Sequence, residues 1–394
     1  MKILHTSDWH LGHTLYNYDR TAEQQAFLRQ LTRIVTEEQP DAMVVSGDIY
    51  HYSSPAAATQ KMYTDAMLNI HQACPGMAIV VTAGYHDSSW QHCGLNVVGN
   101  IERTAEEVNL DKHIIEVKNG QETKGYVIAV PHVYPQNFPL LDTETPRDQR
   151  QTRFFQALLD EVKKRNTAQL PVVLMAHLSI EGSDRSGHDE SIGGIEYVPL
   201  SAMGEGYDYL ALGHIHCPQD IKGSHHHARY CGTPLPVSFD ETYPHSVSII
   251  ELEKGAEPQI STREIENPIP LVTLPHDPTP FEDALKLLEE YPEEKPAYLR
   301  LNVLTKGYLP PDCNEKASNA AKGKACKYCY IKTTRERQAD TDESKPISIQ
   351  EMQEMSPLEI ARLYYRETEG EEMDPELCQL METVMQKVKS KNNS

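Results

Sequence analysis

The 394-residue sequence predicts a layered α/β fold followed by a small α+β module and a helical tail. Three observations predict it. Short apolar runs alternate with helical patterns over residues 1 to about 265; these runs end repeatedly in aspartate or histidine; and a proline-marked segment then opens a second, shorter alternation. The length exceeds what one hydrophobic core usually spans, which fits a main domain with smaller units attached.

In chain order, "MKILHTSD" reads as a strand, "AEQQAFLRQLTRIVTEEQ" as a helix and "DAMVVSGD" as a strand. A helix through "AAATQKMYTDAMLNIHQA" and a strand in "GMAIVVTAG" follow. Further strands are expected at "GYVIAVP", "LPVVLMAH", "YDYLALGH" and "SVSIIELE". Strands that are apolar throughout and linked by helices indicate a sheet covered on both faces, and residues 1–265 form this domain. "EIENPIPLVTLP", with three prolines, reads as a hinge. After it, "FEDALKLLEEY" as helix and "AYLRLNVLT" as strand define a small α+β domain over 266–345, with residues 310 to 346 read as exposed connection. In the tail, 346–394, Ser356, Pro357 and Glu359 form a helix-start signature, and Asp374 with Pro375 repeats it. Leu377, Leu380, Met381, Val384, Met385 and Val388 then make one apolar stripe, to pack on the same chain or dock a partner.

The net charge of −21 argues against a large basic surface for nucleic acid, although bound divalent cations or a partner can supply positive charge locally. No apolar stretch reaches the length of a membrane span and the start lacks signal-peptide architecture, so a cytoplasmic protein without a membrane contact is expected. Eight cysteines are scattered as if in a reducing compartment. Cys313, Cys326 and Cys329 lack a fourth zinc ligand and are read as surface or half-buried thiols. His225 to His227 are read as part of a loop between strands.

The chemistry gathers where strands end: Asp8 and His10 in "SDWH", Asp48 and His51 in "GDIYH", His86 and Asp87 in "GYHD", His177 in "LMAH", His214 and His216 in "GHIH". In open α/β sheets the carboxyl ends of strands converge on one crevice, so these groups are expected to meet. Carboxylates mixed with imidazoles suit Mn²⁺, Fe²⁺ or Zn²⁺, and one carboxylate flanked by separate histidines can bridge two ions. Gly47, Gly84 and Gly213 are read as allowing tight turns where the chain leaves the sheet.

This order of motifs resembles the calcineurin-like metallophosphoesterase superfamily. The stretches "SDWHLGHTLYNYDRTAEQQAFLRQL", "SIGGIEYVP", "YDYLALGHIHCPQ" and "YCGTPLPVSFDE" are similar to its Mre11-like DNA-repair nuclease branch. The resemblance implies a metallophosphoesterase β-sandwich flanked by helices, with residues 266–345 as a capping domain. It implies two divalent ions, most often Mn²⁺, that serve 3′→5′ double-strand exonuclease and single-strand endonuclease activity on DNA ends. By position, Asp8, His10, His216 and Asp48 would hold one ion, and Asp48, His177 and His214 the other. His86 would orient the phosphate and protonate the leaving oxygen, His51 would seat the substrate, and Asp87 would hold the His86 tautomer. A homodimer joined to an SbcC-type coiled-coil ATPase is implied, with the tail as its docking element.

One position departs from the family pattern. Tyr85 stands where an asparagine amide would complete the second ion. A phenol with a reference pKa near ~10 replaces an amide poorly. Tyr85 would bind as phenolate, turn aside and leave water, or weaken the site; with every other ligand position intact, turning aside is the expectation. A phosphoesterase of the same fold acting on small molecules or phosphoproteins, and a metal-impaired scaffold that binds DNA ends without cutting, remain the alternatives.

Overall fold

The computed structural model describes residues 1–87, 96–102, 108–142, 144–186, 197–224, 227–335, 356–369, 373–374, 377–379 and 381. The chain divides into a unit over Met1–Arg335 and another over Glu336–Ser394. In the first, the strands are β1 (Lys2–Thr6), β2 (Ala42–Ser46), β3 (Ala78–Thr82), β4 (Asn96–Val98), β5 (Ile114–Asn119), β6 (Glu122–Ala129), β7 (Val172–His177), β8 (Ser179–Ile180) and β9 (Tyr197–Val198). They continue as β10 (Tyr209–Gly213), β11 (Gln219–Asp220), β12 (Ala228–Tyr230), β13 (Ser246–Glu251), β14 (Gln259–Glu264), β15 (Leu271–Thr279), β16 (Tyr298–Thr305) and β17 (Lys327–Arg335). The helices are α1 (Thr21–Glu38), α2 (Ala57–Ala73), α3 (Arg150–Arg165), α4 (Phe281–Glu289) and α5 (Cys313–Ala321).

Two six-stranded sheets, ordered β14-β13-β1-β2-β3-β4 and β11-β12-β10-β7-β6-β5, carry the larger domain. The first is parallel from β1 to β4 and antiparallel at its β14-β13-β1 side, and the second has a parallel centre with an antiparallel pair at each edge. Successive side chains of a strand face opposite ways. Val44, Val80, Val127, Val173, Met175 and Ala211 therefore pack between the sheets. Met43, Val45, Ile79 and Val81 meet Phe27 and Leu31 of α1 and Met67 and Ile70 of α2. On the far side, Leu174, Leu210 and Leu212 meet Phe154, Phe155 and Leu158 of α3. The order is helix, sheet, sheet, helix, and each fully buried Val, Leu or Phe contributes about 1.5–3 kcal/mol. Two facing sheets explain why the strands carry apolar residues on both faces.

The smaller module departs from two expectations. Residues 310 to 335 are folded rather than exposed connection: α5 buries Cys313, Ala317 and Ala321 against α4 and the parallel sheet β15-β16-β17. Its apolar stripe is two turns of small residues, too faint for a periodicity signal. The proline-rich hinge shrinks to a short connection, because Leu271–Thr279 is a strand; its Pro275 and Pro278 are tolerated at the sheet edge, where the register shifts. Cys313 and Cys326 are buried and Cys329 half-buried, so none of the three is a surface thiol, and among the described residues no cysteine joins a metal-type cluster. Tyr298 ties the module to the larger domain, its hydroxyl donating to Glu23 at 2.6 Å, and Arg300 donates to Asp240 at 2.7 Å.

In the second unit, α6 (Pro357–Glu369) starts as its sequence signature predicts. The Ser356 N–H donates to the Glu359 carboxylate at 2.7 Å and the Glu359 N–H to Ser356 Oγ at 3.3 Å. Most of the stripe from Leu377 to Val388 lies outside the described residues, as do His225 and His226. Among the described residues no helix is long and apolar enough to cross a membrane.

Candidate metal centre

The carboxyl ends of β1, β2, β3, β7 and β10 deliver every motif to one place. Four of its residues hold left-handed backbone: Asp8 at φ 52°, His10 at 45°, Asp48 at 51° and His214 at 99°. Such geometry costs non-glycine residues roughly 1–3 kcal/mol each and persists where the surroundings over-determine it. Gly47 turns in the same region at φ 87°. Gly84 and Gly213 serve differently from the expectation: they make room. A Cβ on Gly84 would lie 2.2 Å from the Asp48 backbone nitrogen, and one on Gly213 would lie 1.8 Å from the Ser46 carbonyl oxygen. Gly213→Ala is therefore expected to destabilise the fold by about 1–3 kcal/mol or more, read as a lower melting temperature, because backbone must move to admit the methyl. An unchanged melting curve would contradict this packing.

Three overlapping donor groups result, each with atoms within 4.8 Å of one another: Asp8, His10 and His216; His10, Asp48 and His86; Asp8, Asp48 and His177. Asp48 belongs to two of them. His10 Nε2 and His216 Nε2 face each other at 3.3 Å, and His177 Nε2 is 3.4 Å from Asp48 Oδ2. The far nitrogens are tied back: His177 Nδ1 lies 2.8 Å from the Ser46 carbonyl oxygen and His216 Nδ1 2.9 Å from Glu241 Oε1. Such pairing aims the opposite ring nitrogen at a shared ion. His214 sends its backbone N–H to Asp8 at 3.1 Å and its ring stands 5.3 Å from that of His177.

Divalent ions fit these residues. His10 Nδ1 is buried without a hydrogen-bond partner, His177 Nε2 is buried with the Asp48 carboxylate at 3.4 Å, and Asp8 is buried beside them. Burial, then repulsion from neighbouring imidazoles, lowers His51 to about 4, and burial holds His10 well below its usual value, so both lone pairs are available. Burial raises Asp8, whereas Asp48 lies well below the usual range because the His177 charge overrides its burial. His177 itself is raised to about 9: burial opposes the charge, but the Asp48 carboxylate wins. The sign of the linkage follows. In chelated protein this pair stabilises fully below pH 6.5, and the contribution is lost as pH rises through about 9. An ion taking His177 Nε2 must displace that proton, so Mn²⁺ affinity is expected to rise by up to about tenfold per unit in the same window. Calorimetry in buffers of different ionisation enthalpy measures the released proton; a pH-independent affinity would contradict it.

Other predicted residues take different places. His86 sits in the centre, its N–H donating to Asp48 Oδ1 at 2.9 Å and its ring stacked on His51 at 5.6 Å. Asp87 corrects the expectation of a tautomer-holding partner: its oxygens accept the backbone N–H groups of Ile49, Tyr50 and Gly84 at 2.9–3.1 Å, which pins the loop. The reason is local, since carboxylate and imidazole of adjacent residues diverge once Asp87 turns inward. Tyr85 is 40% exposed, edge-on to His86, His132 and Tyr134, and its hydroxyl pairs with that of Tyr134. Sequence alone does not single out Glu241, His132, or His13, whose ring lies 4.6 Å from that of His51. Glu241 ends the quoted "SFDE" stretch, the one signal available for it.

Residues 1–218 match the calcineurin-like phosphoesterase family, and residues 267–369 match the type 5 capsule protein repressor C-terminal domain. A Rhodobacter capsulatus protein named as a subunit of the SbcCD nuclease is 33% identical over 309 residues, covering 73% of this chain and 75% of that one. The Escherichia coli protein of the same name is 28% identical over 388 residues, covering 95% and 94%. That of Bacillus subtilis is 31% identical over 273 residues, covering 65% and 68%.

Proposed function

The chain belongs to the calcineurin-like phosphoesterase family, and from that premise we propose that it is the nuclease subunit of an SbcCD-type complex, hydrolysing phosphodiesters at DNA ends with two Mn²⁺ ions. The observation that carries this is Asp48, shared between two donor groups that each add histidines. Asp8, His10 and His216 would hold one ion with Asp48, and His177 and His214 the other. When bound, the ions lower the pKa of water and neutralise charge developing at phosphorus. The chain's own groups do the rest. His86 orients the phosphate and donates a proton to the leaving oxygen, His51 seats the substrate beside it, and Asp87 holds their loop.

In this reading the activities are 3′→5′ exonuclease on duplexes and endonuclease on single strands. Residues 266–345 cap the nuclease domain of residues 1–265 and help position DNA, and residues 346–394 dock an SbcC-type ATPase, the whole working as a cytoplasmic homodimer. The relatives' name supports the assignment as a nuclease subunit of such a complex, and the second family match supports a separate C-terminal module. With a net charge of −21, positive potential for DNA comes from the ions and the partner.

The test is degradation of end-labelled duplex DNA with Mn²⁺, run beside Tyr85→Asn and a chromogenic phosphodiester. Comparable DNA cleavage by both proteins is expected. Cleavage of the chromogenic compound with DNA left intact would favour a small-molecule phosphoesterase, and cleavage by the asparagine variant alone would favour a non-cutting scaffold.

A further inference from the structure

We propose that His132 is a nitrogen ligand of the second ion, supplying the donor that the Tyr85 phenol does not; this rests on the two-ion reading above. His132 follows β6 in "VPHVYP", a stretch with no motif character. Its backbone N–H donates to the Ala83 carbonyl at 2.8 Å, which anchors it beside the end of β3. Its ring is perpendicular to that of His177 at 6.1 Å and lies 5.5 Å from Tyr85. Both His177 and Asp48 act on it electrostatically.

The hydrogen bonding assigns the tautomer. Nδ1 lies 3.2 Å from the His177 carbonyl oxygen and must carry the proton to donate there. Nε2 then keeps its lone pair, and it is buried without a partner. His177 is built in the same way, with Nδ1 on the Ser46 carbonyl and Nε2 at Asp48. A histidine with one nitrogen on a backbone carbonyl and the other turned to the ion is the arrangement of metal-binding imidazoles. His113 shares the one-sided pairing, but its ring packs on Phe154 in the helix-side core. His132 differs by facing a ligand histidine. Like His214, it stands outside the three tightest donor groups, at the periphery of the centre. Tyr85 leans away to Tyr134, and imidazole suits the same borderline ions.

Mn²⁺ titration of the full chain by calorimetry, without substrate, tests the assignment. Two ions are expected for the unmodified protein. His132→Ala, and His132→Phe, which keeps a ring while removing the nitrogen, are each expected to weaken one site by about tenfold or more with the melting curve preserved. Adding Tyr85→Asn to His132→Phe is expected to restore that site. Two ions at unchanged affinity in His132→Phe would overturn the assignment and leave the two-ion reading standing. A loss that asparagine does not rescue would mark a structural role and overturn it too. One ion in the unmodified chain would overturn both readings together.

Discussion

Asp48→Asn is expected to lower DNA cleavage by on the order of a thousandfold or more, because it removes the carboxylate that joins the donor group of His10 and His86 to that of Asp8 and His177. The substitution is nearly isosteric. Its amide oxygen still accepts the His86 N–H now bonded to Oδ1 at 2.9 Å, so the loop after β3 keeps its anchor. What disappears is the negative charge that faces His177 at 3.4 Å and raises its pKa to about 9. Loss of activity should therefore come with fewer Mn²⁺ ions bound per chain while the circular dichroism spectrum is unchanged. A variant that binds two ions and cleaves at more than about a tenth of the normal rate would remove Asp48 from the bridging position.

His86→Gln is expected to reduce DNA cleavage by about 10²–10⁴-fold, the usual range for a positioned general acid. Its effect should depend on the leaving group. An alkoxide from DNA needs a proton, whereas a nitrophenolate does not, so a chromogenic diester is expected to lose less than about tenfold. The backbone here is held by Asp48 and by the three N–H groups on Asp87, which confines the change to the side chain. Ion counting separates the possibilities, since His86 also falls within reach of His10 and Asp48. Two ions with lost activity support the acid. Loss of an ion would make His86 a ligand instead.

Part of this protein was legible from local information. A run such as Ala42 to Val45 is apolar at consecutive positions, and a strand buried on both faces uses such a run. Asp8, His10, Asp48, His177, His214 and His216 were readable because each stands where such a run stops, and their side-chain chemistry is the same in any context. The start of α6 was readable too, since Ser356 and Glu359 bond within a single turn. Local rules also misled. Asp87 adjoins His86, yet its carboxylate turns to Ile49 and Tyr50, and α5 is stabilised by the fit of Cys313, Ala317 and Ala321 beneath its own sheet.

What sequence by itself determined was the central strands of the larger domain, the chemistry of the side chains at their ends and the cap of α6, all governed by interactions a few residues long. Tertiary structure alone decided the rest: Glu241 behind His216, Ser46 behind His177, His132 turned to the same place, and the room that Gly84 and Gly213 leave for their neighbours. The closest of those pairs in the chain, Glu241 and His216, is 25 residues apart, and Ser46 and His177 are 131 apart. A hydrogen bond or a steric clash acts over about 3 Å, and nothing in the chemistry of an isolated glutamate, histidine or glycine says which distant group folding will bring within that reach.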